Sequence, residues 1–378
     1  MAEMNKPIMR IDEPSMQAEI ESYEIGAGKV WPQFFPLRAT SKFDIKSLSG
    51  KEGVPISADK IAFNVKAPVK TRKTVGSWSG KLGKVAISRE QDEEVINEYN
   101  DLTAIVAALP ADSDNSAKME LVDMIYDDVA YVNEGMDTKI EVDACRIGSH
   151  GVQDFPAVID GENATADIIN FNVPDENFNG VAYKWSDHEH ADGISDIATR
   201  YKAMRAKGKT LRYAIMEQAA FENLCAQKAT LQKLSGYNAL TGRTMVLTAN
   251  SVNLETINAF MRAQGFPTIL VIETEAGIED KAGNVETIKP WAENVVTLSP
   301  SIQLGWTYWK TVPRVENTEA LQTYGSFYKV TRYSEVNPML EVTLAEGYVQ
   351  CVLINRSTVN FLNTEYQTTW NGGEPDSQ

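Results

Sequence analysis

Residues 117–147 read AKMELVDMIYDDVAYVNEGMDTKIEVDACRI, and this stretch decides the architecture. Leu121, Ile125, Val129, Val132, Met136, Ile140, Ala144 and Ile147 recur at steps of three or four, the period of one helix face. Asn115 or Ser116 can cap the start, and Gly148 follows the end. At 1.5 Å per residue the segment predicts a rod of about 46 Å, with Gly135 as a kink or break. Eight acids (Glu120, Asp123, Asp127, Asp128, Glu134, Asp137, Glu141 and Asp143) stand against three bases. The apolar stripe needs covering elements. The acidic back is either a solvated face or the seat of a basic partner.

That basic partner lies immediately N-terminal. Lys60, Lys66, Lys70, Arg72, Lys73, Lys81, Lys84 and Arg89 fall in a stretch with no acid at all. Residues 58–88 read as a long β-hairpin. Ile61, Phe63 and Val65 alternate with polar or small residues, Pro68 demotes the first strand to an edge, and Gly76–Gly80 forms a turn-rich tip. Ser88 and Gln91 have capping-box spacing, which predicts a helix from Ser88 to Leu109, stopped by Pro110. Residues 1–56 carry scattered apolar anchors, Ile20, Val30, Trp31, Phe34 and Phe35, without helical period. They read as an extended arm that needs a surface to lie on.

C-terminal to the long helix, elements alternate. Helices are expected at Ser195–Lys207, Glu217–Leu234 and Ser251–Ala263, and strands at Thr210–Ile215, Met245–Thr248, Pro267–Glu273 and Val295–Leu298. This is a compact α/β unit. From residue 322 the pattern is strand-rich, with Phe327–Tyr333, Glu341–Leu344, Val349–Ile354 and Thr358–Leu362. The tail from Asn371 is polar and expected to be disordered.

The chain of 378 residues is long enough to bury a core without disulfides, and its 23% charged and 43% hydrophobic content is that of a globular protein. Cys145, Cys225 and Cys351 are odd in number and unpaired in spacing, which points to a reducing compartment and core positions. No apolar run approaches membrane-span length, and Met1–Arg10 lacks the apolar core of a signal peptide. Net charge is −16, or −24 once the basic hairpin is set aside. A chain this acidic repels phosphate. The hairpin can therefore bind nucleic acid, fold back on its own acidic body, reach an acidic face on another copy, or simply be solvated. Aromatic interleaving, which nucleic-acid binding uses, is limited to Phe63 and Trp78.

Motifs for chemistry fail. Gly76–Gly80 has Trp78 where a nucleophile elbow needs Ser, and Gly28-Lys29 and Gly80-Lys81 lack the rest of a phosphate loop. Asp187-His188-Glu189-His190 with Asp192 is the one cluster with metal-ligand chemistry, but no third His or Cys has helpful spacing, so it reads as a polar loop. No catalytic residue, metal or cofactor is assigned.

The order of parts resembles that of tailed-phage major capsid proteins with the Hong Kong 97 fold, and the local words are similar to the lambda-type major capsid protein E family. Those words are Trp31–Pro36, Phe43-Asp44-Ile45 before Gly53-Val54-Pro55, Ile61-Ala62-Phe63 and Ala67-Pro68. They continue with Val173-Pro174, Trp185-Ser186-Asp187, Ala191-Asp192, Asp196-Ile197, Asn337-Pro338 and Val352–Ile354. Gly193 departs from a common Pro, and Val152–Asn170 does not align.

The resemblance implies an α+β capsid fold. Its parts would be an N-terminal arm (1–56), a hairpin E-loop (57–88), a peripheral domain with the spine helix (89–165), an α/β axial domain (166–321), peripheral C-terminal strands (322–370) and a tail (371–378). It implies intersubunit E-loop contacts through Lys66, Lys70, Arg72, Lys73, Trp78, Lys81 and Lys84. Arm anchors would be Trp31, Phe34 and Phe35, with Phe34, Phe35 and Trp78 buried against neighbours. The acidic spine-helix face would be Glu120, Asp123, Asp127, Asp128, Glu134, Asp137 and Glu141. The implied role is a non-enzymatic shell protein that assembles as pentamers and hexamers around double-stranded DNA in a virion built in the host cytoplasm. Portal, separate scaffolding and decoration proteins are the implied partners. An encapsulin-like cellular compartment is the alternative on the same fold.

Overall fold

A computed structural model describes residues 5–48, 77–109, 116–153, 157–159, 162–164, 169–240, 252–279, 284–367 and 370. The N-terminal elements are α1 (Glu13–Ser22), α2 (Trp31–Phe34), β1 (Leu37–Ala39), β2 (Asp44–Leu48), β3 (Ser77–Lys81), β4 (Gly83–Gln91), α3 (Glu93–Ala108) and α4 (Ser116–His150). Short strands follow: β5 (Val152–Gln153), β6 (Ala157–Ile159), β7 (Glu162–Ala164), β8 (Ile169–Asn170) and β9 (Phe178–Val181). The middle of the chain forms α5 (Gly193–Ala206), β10 (Tyr213–Glu217), α6 (Gln218–Ala226), α7 (Lys228–Leu240), α8 (Leu254–Gln264), β11 (Thr268–Ile272), β12 (Ala276–Glu279), β13 (Val285–Ile288) and β14 (Val295–Ser299). The last strands are β15 (Gly305–Lys310), β16 (Leu321–Tyr324), β17 (Tyr328–Val336), β18 (Met339–Leu353) and β19 (Asn360–Gln367).

Helix α4 runs for 35 residues, about 52 Å, longer than its stripe predicts. Gly135 does not break it. Ile87 of β4 packs where a Cβ at Gly135 would stand, so this glycine permits close approach. Gly148 also continues the helix; a Cβ there would come within 2.6 Å of Trp291. The stop is Gly151, at φ +68°, whose N–H donates to the Ile147 carbonyl at 2.9 Å.

Two sheets meet this rod. The first has the order β1-β15-β18-β17-β16, with β4 antiparallel to β18 as well. Its one face packs on α4: Gly347 faces Met136, and Val330, Ala345, Val349 and Cys351 join the same core as Val129, Val132 and Ile140. The second has the order β11-β10-β14-β19-β9. Its strands divide their side chains between two cores. Ala214, Met216, Val296, Leu298 and Leu362 face helices α5 to α8, while Ile215, Val295 and Phe361 face the α4 side. Burial on both faces explains why these strands read as continuous apolar runs rather than alternating ones.

Several sequence expectations change. The N-terminal region is not simply extended: α1 starts at an Asp12 cap and buries Met16 and Ile20. Ser88 lies in β4, held there by pairing with Leu344, and the next helix starts at Asp92, whose carboxylate accepts from Glu94 and Val95 N–H. The expected helix over Glu217–Leu234 is two, α6 and α7. Glu341–Leu344 and Val349–Ile354 belong to one strand, β18, because Gly347 lets the backbone pass close over Met136. Residues 58–76, Met245–Thr248 and the tail from 371 lie outside the described residues.

Candidate assembly interface

Strands β2 and β3 form the antiparallel base of the basic hairpin, pairing Asp44 with Lys81 through Leu48 with Ser77. Trp78 is 6% exposed. Its ring lies 5.1 Å from Phe171, and its Nε1–H donates to the Asn170 carbonyl at 3.0 Å. It fastens the hairpin base to its own subunit instead of projecting to a neighbour. Lys81 is exposed. Lys66, Lys70, Arg72 and Lys73 lie outside the described residues.

Lys60 also lies outside the described residues, whereas Lys84 and Arg89 fold back on the chain's own acids. Lys84 Nζ sits 2.6 Å from Glu346, which also receives the buried Lys329 at 2.8 Å. Burial raises the Glu346 carboxyl, but hydrogen bonds from Lys329 and Lys84 outweigh it and hold the group below the ordinary range. Arg89 lies 2.5 Å from Asp127 and 3.4 Å from Asp128, and its guanidinium covers the Tyr131 ring at 5.0 Å.

The seven acids assigned to one helix face divide. Glu120, Asp123, Asp127 and Glu134 are exposed, whereas Asp128, Asp137 and Glu141 are buried. Asp128 turns inward already in the first half of α4, where Gln91 and Arg89 meet it. Asp137 and Glu141 lie further along, where every position from Ile140 to Ser149 except Arg146 is buried.

Asp137 and Glu141 hold the N-terminal region. Asp137 accepts from Trp31 Nε1–H at 2.7 Å, Gly26 N–H at 2.9 Å and the Tyr23 hydroxyl at 3.2 Å. Glu141 accepts from Val30 and Trp31 N–H at 3.1 and 2.8 Å, capping α2. Burial raises the Glu141 carboxyl above its usual value against the pull of those two N–H groups and Lys29. Trp31, Phe34 and Phe35 are buried in this chain's own core, which corrects the expectation that neighbours cover Phe34 and Phe35.

Two features escape the sequence pattern. Arg332 and Glu341 form a completely buried pair at 2.7 Å. Glu341 also accepts from Ile8 and Met9 N–H at 2.7 and 3.3 Å, and Arg332 donates to the Ile125 carbonyl. The pair clamps the first described residues to α4 and to the β17–β18 hairpin. Its partners meet only through the hairpin register, which the sequence does not display. The second feature is β15. The alternation of Trp306, Tyr308 and Lys310 was its signal, and it lies between the strands read from the sequence.

The Asp187–Asp192 cluster is a turn whose groups each have a protein partner. His190 meets Asp187 at 2.9 Å, His188 meets Asn223 at 3.0 Å, Glu189 meets Lys228 at 2.9 Å, and Asp192 caps α5 and pairs with Lys233. Among the described residues no three His, Cys, Asp or Glu side chains converge on a metal position. Nor is any described helix long and apolar enough to cross a membrane.

No protein-family model matches the sequence, and no curated protein matches it. Solved structures do. A phage-related protein of Bordetella bronchiseptica RB50 is similar with TM-score 0.50 at 12% identity, over 97% of this chain and 98% of its own. A structure described as a prophage capsid protein (E. coli CFT073) is similar with TM-score 0.52 at 15% identity, over 93% and 99%. The likeness thus runs over nearly the whole chain, and the chain has the phage capsid fold of the Hong Kong 97 type.

Proposed function

We propose that this chain is a major capsid protein, assembling through pentamers and hexamers into an icosahedral shell around the double-stranded DNA of a tailed bacteriophage. The observation that carries the reading is the end-to-end likeness to a prophage capsid structure, 93% of one chain against 99% of the other. The charge supports it: a body at −16 does not grip the DNA it encloses. No enzymatic role is proposed.

In this reading residues 1–56 are the arm, 57–88 the E-loop, 89–165 and 322–370 the peripheral domain, and 166–321 the axial domain. Lys66, Lys70, Arg72 and Lys73 reach the exposed acids Glu120, Asp123 and Glu134 of a neighbouring long helix. Such exposed pairs contribute roughly 0–1 kcal/mol each and act on register and association rate. Portal, scaffolding and decoration proteins complete the virion, which is assembled in the host cytoplasm.

Negative-stain electron microscopy of the purified protein, alone and with a co-expressed scaffold, tests the reading. Rings, sheets or shells support it; particles that stay monomeric under both conditions sink it. Shells isolated from cells with protein cargo and without DNA would move the reading to a cellular compartment. The K70E/K73E variant is expected to remain folded and to assemble poorly, and normal shells from it would remove the E-loop assignment.

A further inference from the structure

The six-stranded sheet covers α4 with one face. Its other face carries a strip of cations laid on aromatic rings. Cross-strand pairing puts Arg38 of β1 beside Tyr308 of β15, and Lys310 of β15 beside Tyr348 of β18. The Arg38 guanidinium lies 5.2 Å from the Trp306 ring and 5.6 Å from the Tyr308 ring. Lys310 Nζ lies 4.1 Å from the Phe43 ring, which meets Tyr348 edge-on at 5.1 Å. Arg38 and Phe43 are exposed, and Trp306, Tyr308, Lys310 and Tyr348 are half-buried. The strip is about 10–15 Å in each direction. Near its edge Glu346 is shared by two lysines, Lys84 and Lys329. Arginine, tryptophan and tyrosine in this density are the residues that anchor protein interfaces.

A complementary surface exists on the same molecule. Helix α3 and its cap present Asp92, Glu93, Glu94, Glu98 and Asp101 to solvent and contain no basic residue. Among the described residues no ion pair is made by these five side chains.

We propose that the Arg38–Trp306–Lys310 face docks a second copy of this chain through the acidic outer face of its α3. The contact is heterologous, one surface meeting a different one, so it propagates into rings and shells rather than closing as a dimer. Opposite charge selects the partner, and a chain at −16 disfavours nucleic acid as the occupant. The inference rests on the shell reading and names one of its interfaces.

The test is analytical ultracentrifugation of the full chain at low and high salt, with near-ultraviolet circular dichroism to verify folding. R38E/K310E and E98K/D101K are each expected to remain folded and to weaken self-association roughly tenfold or more. Combining all four changes, which restores opposite charge across the contact, is expected to recover association. Wild-type association in either double variant, or no recovery in the fourfold variant, overturns the proposal while leaving the shell reading intact. A wild type that stays monomeric both alone and with the co-expressed scaffold overturns both. Salt-dependent binding of a DNA oligonucleotide that R38E/K310E abolishes also overturns the proposal, by giving the strip a different occupant.

Discussion

At Gly305 and Gly135 a missing side chain does opposite things. A Cβ on Gly305 would meet the Phe35 ring and the Val352 backbone carbonyl, neither of which can step aside. G305A is expected to cost about 2–3 kcal/mol in denaturant unfolding. A Cβ on Gly135 meets the end of the Ile87 side chain, which can rotate. There the helical gain of Gly→Ala, about 1 kcal/mol, offsets the crowding, and G135A should lie within about 1 kcal/mol of wild type. Equal losses from the two changes would contradict this distinction.

Glu141 adds a pH signature. Its folded carboxyl titrates above the ordinary 4.5 because burial disfavours the charge. Between that raised value and 4.5 the folded state binds more proton than the unfolded one, so stability rises as pH falls through the window and is lost as pH climbs. Asp128 and Asp143 shift in the same direction, again chiefly by burial. E141Q should flatten the rise in unfolding free energy expected as pH falls toward 4.5. Parallel slopes for variant and wild type would remove Glu141 as its source.

Among elements, the N-terminal region and the β17–β18 hairpin are joined by the Arg332–Glu341 pair. R332M leaves Glu341 buried with only the Ile8 and Met9 N–H groups, and should cost about 3–5 kcal/mol by urea titration. A loss under 1 kcal/mol would mean that the clamp is dispensable.

What the sequence reveals at this scale depends on how many faces an element buries. The α4 stripe is legible because its first half has one covered side. The runs Ile269–Ile272 and Val295–Leu298 are legible because both faces are covered. Ser88 misleads because pairing with β18 overrides a local capping signal. α1 hides because only Met16 and Ile20 among its residues turn inward. The charge of the hairpin is plain in the sequence, but the meeting of Lys84 with Glu346 and of Arg89 with Asp127 depends on strand register, which composition does not carry.

At the scale of the whole molecule, the three thiols report integrity. Burial raises Cys225 to about 11, Cys351 to about 12 and Cys145 well above its usual value. The native protein should react negligibly with a thiol reagent at neutral pH and expose all three groups in urea. Fast labelling of the native chain would show that the core opens readily.

The long helix passes through both halves of the structure. Along its length it is covered by α1, α3 and the larger sheet; near its end Gly148 presses on Trp291, and its carbonyl accepts from Thr297 of the other sheet. The rod is therefore a strut pinned at two bearings. A tilt of about five degrees at one bearing displaces the far end by roughly 4–5 Å over its length. Small rotations at one sheet thus reach the opposite rim of the subunit magnified, with no hinge inside the rod to absorb them.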